Sequence, residues 1–123
     1  MLAENVTEKV IGAAIEVHRF LGPGLLESAY EECLCRELTL RGIDFARQVP
    51  IPITYKDVEL SCGYRADVIV DQAVLLELKA VDRVLPVHEA QLLTYLRLTG
   101  LRVGLLLNFN VDVLKKGIVR RVV

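Results

Sequence analysis

The sequence predicts a mixed α/β fold, because helical and strand-like apolar patterns follow one another along a short chain. Two helical patterns come first, three short strand-like runs follow, and a third helical pattern leads into a nearly unbroken apolar run. The predicted order is helix, helix, three strands, helix, strand, strand (α-α-β-β-β-α-β-β), which gives a mixed central sheet flanked by helices. At 123 residues, the chain is expected to form a single compact domain over residues 1–123.

The first two helices are predicted from the spacing of their apolar residues. Residues 5–20 carry apolar side chains at helical intervals, and Gly22-Pro23-Gly24 then ends the helix, because proline lacks an amide hydrogen and glycine permits positive φ. Residues 25–41 resume the helical period, and Gly42 supplies a left-handed stop. A tight turn between two helices is therefore expected.

The middle of the chain changes to short, β-branched and alternating runs. They predict consecutive antiparallel strands at residues 45–55, 65–70 and 73–79. Pro50 and Pro52 cannot donate to a ladder, so the first strand is expected at a sheet edge or broken at that point. Asp71-Gln72 separates the second and third runs and predicts a tight hairpin.

The C-terminal third of the chain predicts one helix and two strands. Residues 86–99 have a helical pattern that Gly100 ends, and residues 103–109 form an apolar run typical of a strand buried on both faces. A short strand is expected at residues 118–122. The helix should connect the third strand to a parallel partner in the sheet interior.

Charge and hydropathy exclude some function classes. The net charge of −1 gives no global positive field, so any nucleic-acid contact must use a local patch. The best candidate is a C-terminal basic cluster of Lys115, Lys116, Arg120 and Arg121, although such residues are more often a solvated rim. Every apolar run is too short to span a bilayer, so no membrane partner is expected.

The N-terminus and the cysteines predict a cytoplasmic protein. Glu4 and Glu8 stand where a secretory signal would have a basic region before an apolar core. Cys33, Cys35 and Cys62 are odd in number, and two positions two apart on a helix point in different directions. This arrangement fits neither a disulfide framework nor a zinc knuckle, and reduced, structural cysteines are expected.

Three charged residues in the predicted sheet point to chemistry. Glu77 and Lys79 lie two apart on one strand and therefore share a face, in a strand apolar enough to be central. Asp67 lies in the preceding apolar strand, and the hairpin places it opposite Glu77 or one pair away. Ionised groups in such strands are costly unless they are paired or bound to a metal. Two facing carboxylates favour Mg²⁺ or Mn²⁺.

These residues resemble the signature of a known superfamily. Asp67 followed by Glu77-Leu78-Lys79 resembles the motif of the PD-(D/E)XK nucleases, and Gln91-Leu92-Leu93-Thr94-Tyr95 resembles the QxxxY motif of their RecB-like and exonuclease branches. Gly24-Leu25-Leu26-Glu27-Ser28-Ala29-Tyr30 is similar to the motif of the GxxExxY protein family within that superfamily. The resemblance runs from the first helix to about Gly117. It implies a restriction-endonuclease-like core and metal-dependent hydrolysis of phosphodiester bonds in DNA or RNA.

The resemblance also implies a role for each matching residue. Asp67, Glu77 and the Leu78 carbonyl would bind the metal. Lys79 would orient or activate the attacking water and stabilise charge on the phosphorus centre. Ala66 replaces the proline of the motif, which affects no catalytic group.

Five further residues are implied less directly, and three of them, Glu27, His18 and Tyr30, also have a structural explanation. Glu27 would be an additional helical carboxylate at the metal, directly or through water, or else a first-turn acid favoured by the helix dipole. Gln91 and Tyr95, four apart on one helical face, would hold the lysine or a substrate phosphate. His18 is a further site candidate or a helix C-terminal dipole partner. Tyr30 is more often a packing residue whose hydroxyl finds a partner.

Two rival hypotheses remain open. The first is a catalytically silent binding module with this fold, which acts on a protein or nucleic-acid partner. Such a module could act as a monomer or as a homodimer. The second is a structural interaction protein in which the charged residues form a buried ion-pair network.

Overall fold

The computed structural model describes residues 3–123 of the chain. Its helices are α1 (Ala3–Leu21), α2 (Glu27–Leu40) and α3 (Pro86–Thr99). Its strands are β1 (Phe45–Pro50), β2 (Ile53–Tyr55), β3 (Val58–Leu60), β4 (Arg65–Val70), β5 (Val74–Lys79), β6 (Val103–Asn108) and β7 (Ile118–Val122), with a short 3-10 helix at Leu114–Gly117. The mixed α/β class is confirmed.

The helices form where the sequence predicts them. Gly22 and Gly24 have φ of 66° and 100° in the turn between α1 and α2, which explains why glycine occupies both positions. The C-terminal cap of α3 is Gly100, in the left-handed conformation that leaves its amide free to donate to the Leu96 carbonyl at 3.0 Å.

Five strands make one mixed sheet in the order β1-β4-β5-β6-β7. The β5–β6 pair is parallel and the other neighbouring pairs are antiparallel. Because α3 connects the two parallel strands, the predicted crossover is confirmed. Every residue of β6 is buried, as expected for an interior strand, and β1 lies at the edge that its proline requires.

Each face of the sheet is covered by helices. On one face, α1 and α2 pack their apolar residues against alternate residues of β4, β5 and β6, and Leu76 and Leu78 belong to this core. On the other face, α3 packs Leu92 and Leu96 against Leu75 and its neighbours. Because side chains alternate along a strand, Glu77 shares a face with Leu75 and points to the α3 side.

The predicted first strand is broken next to its prolines, which is one of the two outcomes expected from Pro50 and Pro52. Residues 45–55 do not form one strand, because the chain breaks at Ile51-Pro52, where neither residue has strand conformation. The second part, β2, pairs with β3 in a separate two-stranded hairpin that the sequence did not reveal. The strand β3 is short and wholly exposed, so it lacks the alternation that marks a half-buried strand.

The predicted hairpin between β4 and β5 is confirmed. Asp71 and Gln72 have φ of 52° and 55°, and the Ala73 amide donates to the Val70 carbonyl at 3.0 Å. Two consecutive left-handed residues characterise the tight turn that suits the right-handed twist of paired strands. This turn fixes the register of β4 on β5.

The cysteines differ in environment. Cys35 is buried, and its burial raises the pKa of the thiol to about 11, which keeps it protonated. Cys33 is half-buried, and both residues are free thiols as predicted. Cys62 is also free but exposed, so the prediction that it is a structural cysteine is wrong for this residue.

Within residues 3–123, no helix is long and apolar enough to cross a bilayer. The cytoplasmic location and the single domain over residues 1–123 stay predictions.

Candidate active site

Asp67 and Glu77 face each other where the β4–β5 ladder stops. The regular pairing joins Val70 to Val74 and ends with Val68 opposite Leu76, so the register brings Asp67 opposite Glu77. There the Asp67 amide donates to Glu77 Oε2 at 3.0 Å, and the Leu78 amide donates to Asp67 Oδ2 at 2.8 Å. Side-chain carboxylates have replaced backbone carbonyls as acceptors. These bonds bring Asp67 and Glu77 close together, while the role of the two carboxylates stays a prediction.

The opened ladder also leaves a backbone carbonyl at the pair. The N–H and C=O groups of a strand residue point toward the same neighbouring strand. Since the Leu78 amide donates to Asp67, the Leu78 carbonyl faces β4 as well. Two carboxylates and a carbonyl therefore converge on the space between the strands.

Burial makes this pair electrostatically unusual. Loss of solvation raises the pKa of Glu77 from 4.5 to about 7, and the negative charge of Asp67 adds to the effect. Loss of solvation also raises the pKa of Asp67, while its hydrogen bond from the Leu78 amide opposes the change. Two acidic groups thus share a site in which the second negative charge is poorly compensated.

Lys79 is the cation that partly offsets this charge. It lies two residues after Glu77 on β5, and its positive charge opposes the burial effect that raises the pKa of both carboxyl groups. Its side chain is half-buried, and Lys79 is paired with Asn108 in the parallel β5–β6 ladder. The ammonium group is therefore held beside the carboxylates by the strand that also carries Glu77.

Asn108 fixes the chain beyond Lys79, and sequence reasoning missed it. It is 3% exposed, its Oδ1 accepts from the Val81 amide at 3.1 Å and its Nδ2 donates to the Val81 carbonyl at 2.9 Å. Two bonds from one amide group hold the loop where it leaves β5. The signal in the sequence was a polar residue at the end of an otherwise apolar strand.

Gln91 and Tyr95 reach the same region from α3. Gln91 Nε2 donates to the Tyr95 hydroxyl at 3.0 Å, as expected for residues one turn apart. Burial raises the pKa of Tyr95, and the negative charge of Glu77 is the next cause, which places the phenol within electrostatic reach of the carboxylate pair. The structure therefore brings the strand and helix motifs together.

Glu27 lies at the start of α2 and approaches the pair from the other side of the sheet. It is exposed, and its charge adds to burial in raising the pKa of both Asp67 and Glu77. Within residues 3–123, however, no group of three or more His, Cys, Asp or Glu side chains is arranged to hold a metal ion. Glu27 thus influences the pair without joining it in a three-carboxylate cluster.

Glu31 is a second helical carboxylate that the sequence analysis overlooked. It is 9% exposed and accepts hydrogen bonds from Arg47 at 2.8 Å and from Gln48 at 2.8 Å. Burial is the main cause of the raised pKa of Asp67, and the negative charge of Glu31 raises that pKa further. Because Glu27 and Glu31 are four apart, they lie on one helical face. That spacing was the available signal.

The opposite neighbour of Asp67 is also irregular. Gln48 falls opposite Asp67 in the β1–β4 register, between the pairs Arg47–Val68 and Val49–Ala66, and has φ of 49°. This left-handed conformation is uncommon for a residue with a β-carbon. Its side chain bonds to Glu31. The strand on each side of Asp67 therefore departs from regular pairing.

Tyr30 has a structural position. Its hydroxyl donates to the Gly22 carbonyl at 2.6 Å and accepts from the Leu25 amide at 3.2 Å, and its ring stacks on Phe109 with centroids 4.5 Å apart. These bonds close the turn that precedes Glu27. The packing explanation with a satisfied hydroxyl agrees with this arrangement, so Tyr30 shapes the approach of α2 to the sheet.

His18 is likewise engaged elsewhere. It is 6% exposed, and its Nε2 lies 2.8 Å from the Val111 carbonyl, which can only accept, so the ring nitrogen donates. The ring tilts against Phe109 with centroids 6.3 Å apart. These contacts join the end of α1 to the loop after β6, and none of them involves the carboxylate pair.

The C-terminal basic cluster is partly neutralised. Lys116 pairs with Asp112 at 3.2 Å, and Arg121 pairs with Glu89 of α3. Lys115 and Arg120 are exposed. The four residues therefore do not present one continuous positive surface.

Comparison with known proteins gives one match. The family model described as the PD-(D/E)XK nuclease superfamily matches residues 4–122. No curated protein and no solved structure gives a match. The match spans nearly the whole chain and includes both strands of the carboxylate pair, and the five-stranded mixed sheet flanked by helices is consistent with the restriction-endonuclease-like fold. The chain therefore belongs to the PD-(D/E)XK nuclease superfamily.

Proposed function

We propose that this protein is a metal-dependent nuclease that hydrolyses phosphodiester bonds of DNA or RNA. The observation that carries the proposal is the pair of half-buried Asp67 and buried Glu77, which lies beside Lys79 where the carboxylates accept bonds from backbone amides of the ladder. A fold needs no such feature for stability, because burying like charges is costly. Binding of a cation would explain why the fold keeps the two carboxylates together.

A divalent cation suits the donors present. Mg²⁺ and Mn²⁺ prefer oxygen ligands, and Mg²⁺ sites often use one or two carboxylates together with waters. Asp67, Glu77 and the Leu78 carbonyl provide such a set, and the raised pKa of Glu77 shows that negative charge here lacks compensation. PD-(D/E)XK nucleases typically use divalent metals. We propose that these three residues hold the ion.

The bound ion would supply Lewis-acid stabilisation of the phosphate oxygens. Lys79 would orient the attacking water and hold positive charge close to the negative charge that develops on the phosphorus centre. Its place on β5 keeps the ammonium group on the same face as Glu77. The lysine can therefore act at the same phosphate as the carboxylates without a change of backbone conformation.

Gln91 and Tyr95 would position the substrate phosphate or the lysine. The Tyr95 hydroxyl accepts a hydrogen bond from Gln91 Nε2 at 3.0 Å, so Gln91 helps to fix the position of the phenol. The Tyr95 hydroxyl stays protonated because burial and the charge of Glu77 raise its pKa. A protonated hydroxyl can donate a hydrogen bond to an anionic oxygen.

We further propose that Glu27 acts on the ion through water. Its charge reaches both carboxyl groups, but it does not form a three-carboxylate group with them. This placement agrees with the motif Gly24-x-x-Glu27-x-x-Tyr30, in which Tyr30 closes the turn ahead of Glu27. Membership of the GxxExxY family and of the QxxxY branch is part of this proposal.

A second function is favoured by the surface charge. The net charge is −1 and half of the C-terminal basic cluster is ion-paired, so this cluster offers a nucleic acid no continuous basic surface. A catalytically silent binding module, either as a monomer or a homodimer, would need no turnover. It would keep its partner binding when Glu77 is replaced.

The test is cleavage of labelled single- and double-stranded DNA and RNA by the purified full chain, with Mn²⁺ or Mg²⁺ and with EDTA. Metal-dependent cleavage by the wild type is expected, with a loss of about 100-fold or more in Lys79→Ala, because one preorganised charge is removed from the transition state. Lys9→Ala, which changes an exposed lysine on α1, is the matched control. Circular dichroism checks that each variant folds.

Absence of cleavage in the wild type, while the melting temperature rises with Mn²⁺, would replace the nuclease proposal with the binding module. Cleavage that persists in Lys79→Ala would show that the activity belongs to a contaminant or to another site.

A further inference from the structure

A cleft lies between the β2–β3 hairpin and the start of β4, the strand that carries Asp67. It has a volume of about 220 Å³, and its walls include Pro50, Pro52, Glu59, Ser61, Tyr64 and Arg65. Pockets for drug-sized ligands span about 300–1,000 Å³. This cleft is smaller and suits one planar ring system rather than a larger molecule.

Tyr64 is held in place without being covered. Its carbonyl accepts from the amide of Ile51 at 2.8 Å, and Ile51 is only 2% exposed, so the backbone is anchored to the core. The residue as a whole nevertheless remains 43% exposed. A fixed aromatic ring with a free surface can bind a planar ligand by stacking at a low cost in side-chain entropy.

Two observations connect this ring to the candidate active site. The rings of Tyr64 and Tyr95 make a T-shaped contact with centroids 6.1 Å apart, and Tyr95 in turn lies within the electrostatic reach of Glu77. Along the chain, Tyr64 precedes Asp67 by three residues, which is about 10 Å in extended conformation. Neighbouring nucleotides of an extended strand can cover that distance.

The chemistry of the walls fits a nucleobase with its phosphate. Tyr64 offers a stacking surface and the two prolines offer apolar rings, while Glu59 and Ser61 can accept or donate hydrogen bonds at a base edge. The exposed Arg65 uses one guanidinium nitrogen to bond the Gln48 carbonyl at 3.4 Å. Its other N–H groups can reach a phosphate.

We propose that this cleft binds one nucleobase of a single-stranded nucleic acid, with Tyr64 as the stacking platform, next to the bond to be cut. A base within a duplex is already stacked and paired, whereas an unpaired base can be inserted against an aromatic ring. The proposal rests on the proposed nuclease function and names its substrate class. It also compensates for the weak basic surface, because stacking supplies affinity that charge does not.

The test is the affinity of the full chain for fluorescein-labelled oligonucleotides in EDTA, measured by anisotropy, so that no cleavage is needed. The probes are a single strand, an abasic strand of the same length and the matching duplex. The wild type is expected to prefer the intact single strand by roughly 5- to 100-fold, which is the effect of one base stacked on an aromatic ring.

Three variants locate the effect. Tyr64→Ala should bind the intact strand as weakly as the abasic strand and leave abasic binding unchanged, whereas Tyr64→Phe should keep the preference. Tyr55→Ala is the matched control, because Tyr55 is a tyrosine of the neighbouring β2–β3 hairpin, 61% exposed, that does not line the cleft. Since Tyr64 is partly exposed, its replacement should preserve the fold, which circular dichroism checks.

Equal binding of intact and abasic strands, a preference for the duplex, a preference that survives Tyr64→Ala, or no binding of any probe would overturn the proposal. The nuclease proposal fails separately. A base preference that depends on Tyr64, in a protein that cuts nothing with Mn²⁺, would support the cleft and remove the enzyme. Cleavage without any base preference would support the nuclease proposal and overturn the proposal for the cleft.

Discussion

The two ends of the β4–β5 pair obey different rules although they belong to the same two strands. At one end, Val68–Val70 pairs regularly with Val74–Leu76 and a two-residue turn closes the hairpin. At the other end, the ladder stops and the carboxylates of Asp67 and Glu77 accept hydrogen bonds from backbone amides. The first end is apolar on both faces, whereas the second carries one half-buried acid, Asp67, and one buried acid, Glu77.

Within about four residues of one strand pair, one end contributes to the stability of the sheet and the other carries the candidate active site. The regular end buries apolar side chains that stabilise the sheet. The open end holds groups whose ionised forms are disfavoured by burial, as the raised pKa of Glu77 shows. Substitutions at neighbouring positions of one strand should therefore have opposite effects on the free energy of unfolding.

The largest effect on stability is expected at the regular end. Leu76→Ala removes a fully buried side chain and should lower the free energy of unfolding by about 2–5 kcal/mol. Urea denaturation measures the change. The control is Val58→Ala on the exposed hairpin, which should stay within about 0.5 kcal/mol of the wild type. Equal effects of the two substitutions would contradict the assignment of Leu76 to the core.

At the open end, Glu77→Gln should increase stability at high pH. The pKa of Glu77 is about 7 in the folded protein and 4.5 ordinarily, so the folded state retains a proton that the unfolded state loses between these values. Wild-type stability should therefore fall as pH rises from 4.5 to 7, by at most about 3 kcal/mol, and the glutamine variant should escape this loss.

Urea denaturation in EDTA at several pH values measures this difference. The gain in Glu77→Gln should be absent below pH 4.5 and complete above pH 7. The control is Glu8→Gln, which replaces an exposed glutamate of α1 and should show no such pH dependence. A gain that is independent of pH would show that ionisation of Glu77 is not its cause.

Binding of a metal ion should offset the destabilising effect of the ionised Asp67 and Glu77 carboxylates. At pH 8, Mn²⁺ at 100 times its dissociation constant should stabilise the wild type by about 2.7 kcal/mol, because only the folded state assembles the donors. The shift should shrink at pH 5, where protons compete for the carboxylates. Thermal unfolding measures it, with Glu77→Gln expected to lose the shift and Glu8→Gln to keep it. An unchanged melting temperature would favour the buried ion-pair network.

The smallest effect is expected at the turn. Gln72 has φ of 55°, which costs a residue with a β-carbon but not glycine. Gln72→Gly should therefore stabilise the protein by about 0.5 kcal/mol, since the greater entropy of glycine in the unfolded chain offsets part of the gain. Gln72→Ala is the control and should give no increase. Urea denaturation compares the three proteins.

Most of the fold could be predicted because its patterns are local. The periods of α1, α2 and α3 and the continuous apolar run of β6 are visible in single stretches of sequence, and Gly100 marks a helix end by its own conformational preference. The β2–β3 hairpin could not be predicted. Its strands are three residues long and mostly exposed, so burial leaves no pattern in them.

The candidate site was predictable in part. Glu77 and Lys79 share a face by the geometry of any strand, and the Asp71-Gln72 turn indicated that Asp67 lies close by. His18 and Tyr30 were named beside them, yet the structure uses both in hydrogen bonds near the α1–α2 turn and the loop after β6. Their distance from the Asp67 and Glu77 motif along the sequence did not show whether His18 and Tyr30 belong to the site.

Residues that act on the site from elsewhere were missed. Glu31 and Asn108 are polar residues within apolar patterns, so a signal existed but had several explanations. Tyr64 stands in a loop, and its place beside Tyr95 depends on how α3 packs on the sheet. Such contacts join residues far apart in the chain.

The sequence by itself determined the order of elements, the two faces of β5 and the residue types available for chemistry, because each follows from local periodicity and side-chain chemistry. Only the tertiary structure decided that the Asp67 and Glu77 carboxylates replace backbone acceptors at the end of a ladder. It also decided that α2 and α3 bring Glu27, Glu31 and Tyr95 within electrostatic reach of that pair. These outcomes depend on strand register and helix packing, which are fixed by contacts over the whole molecule rather than by any one segment.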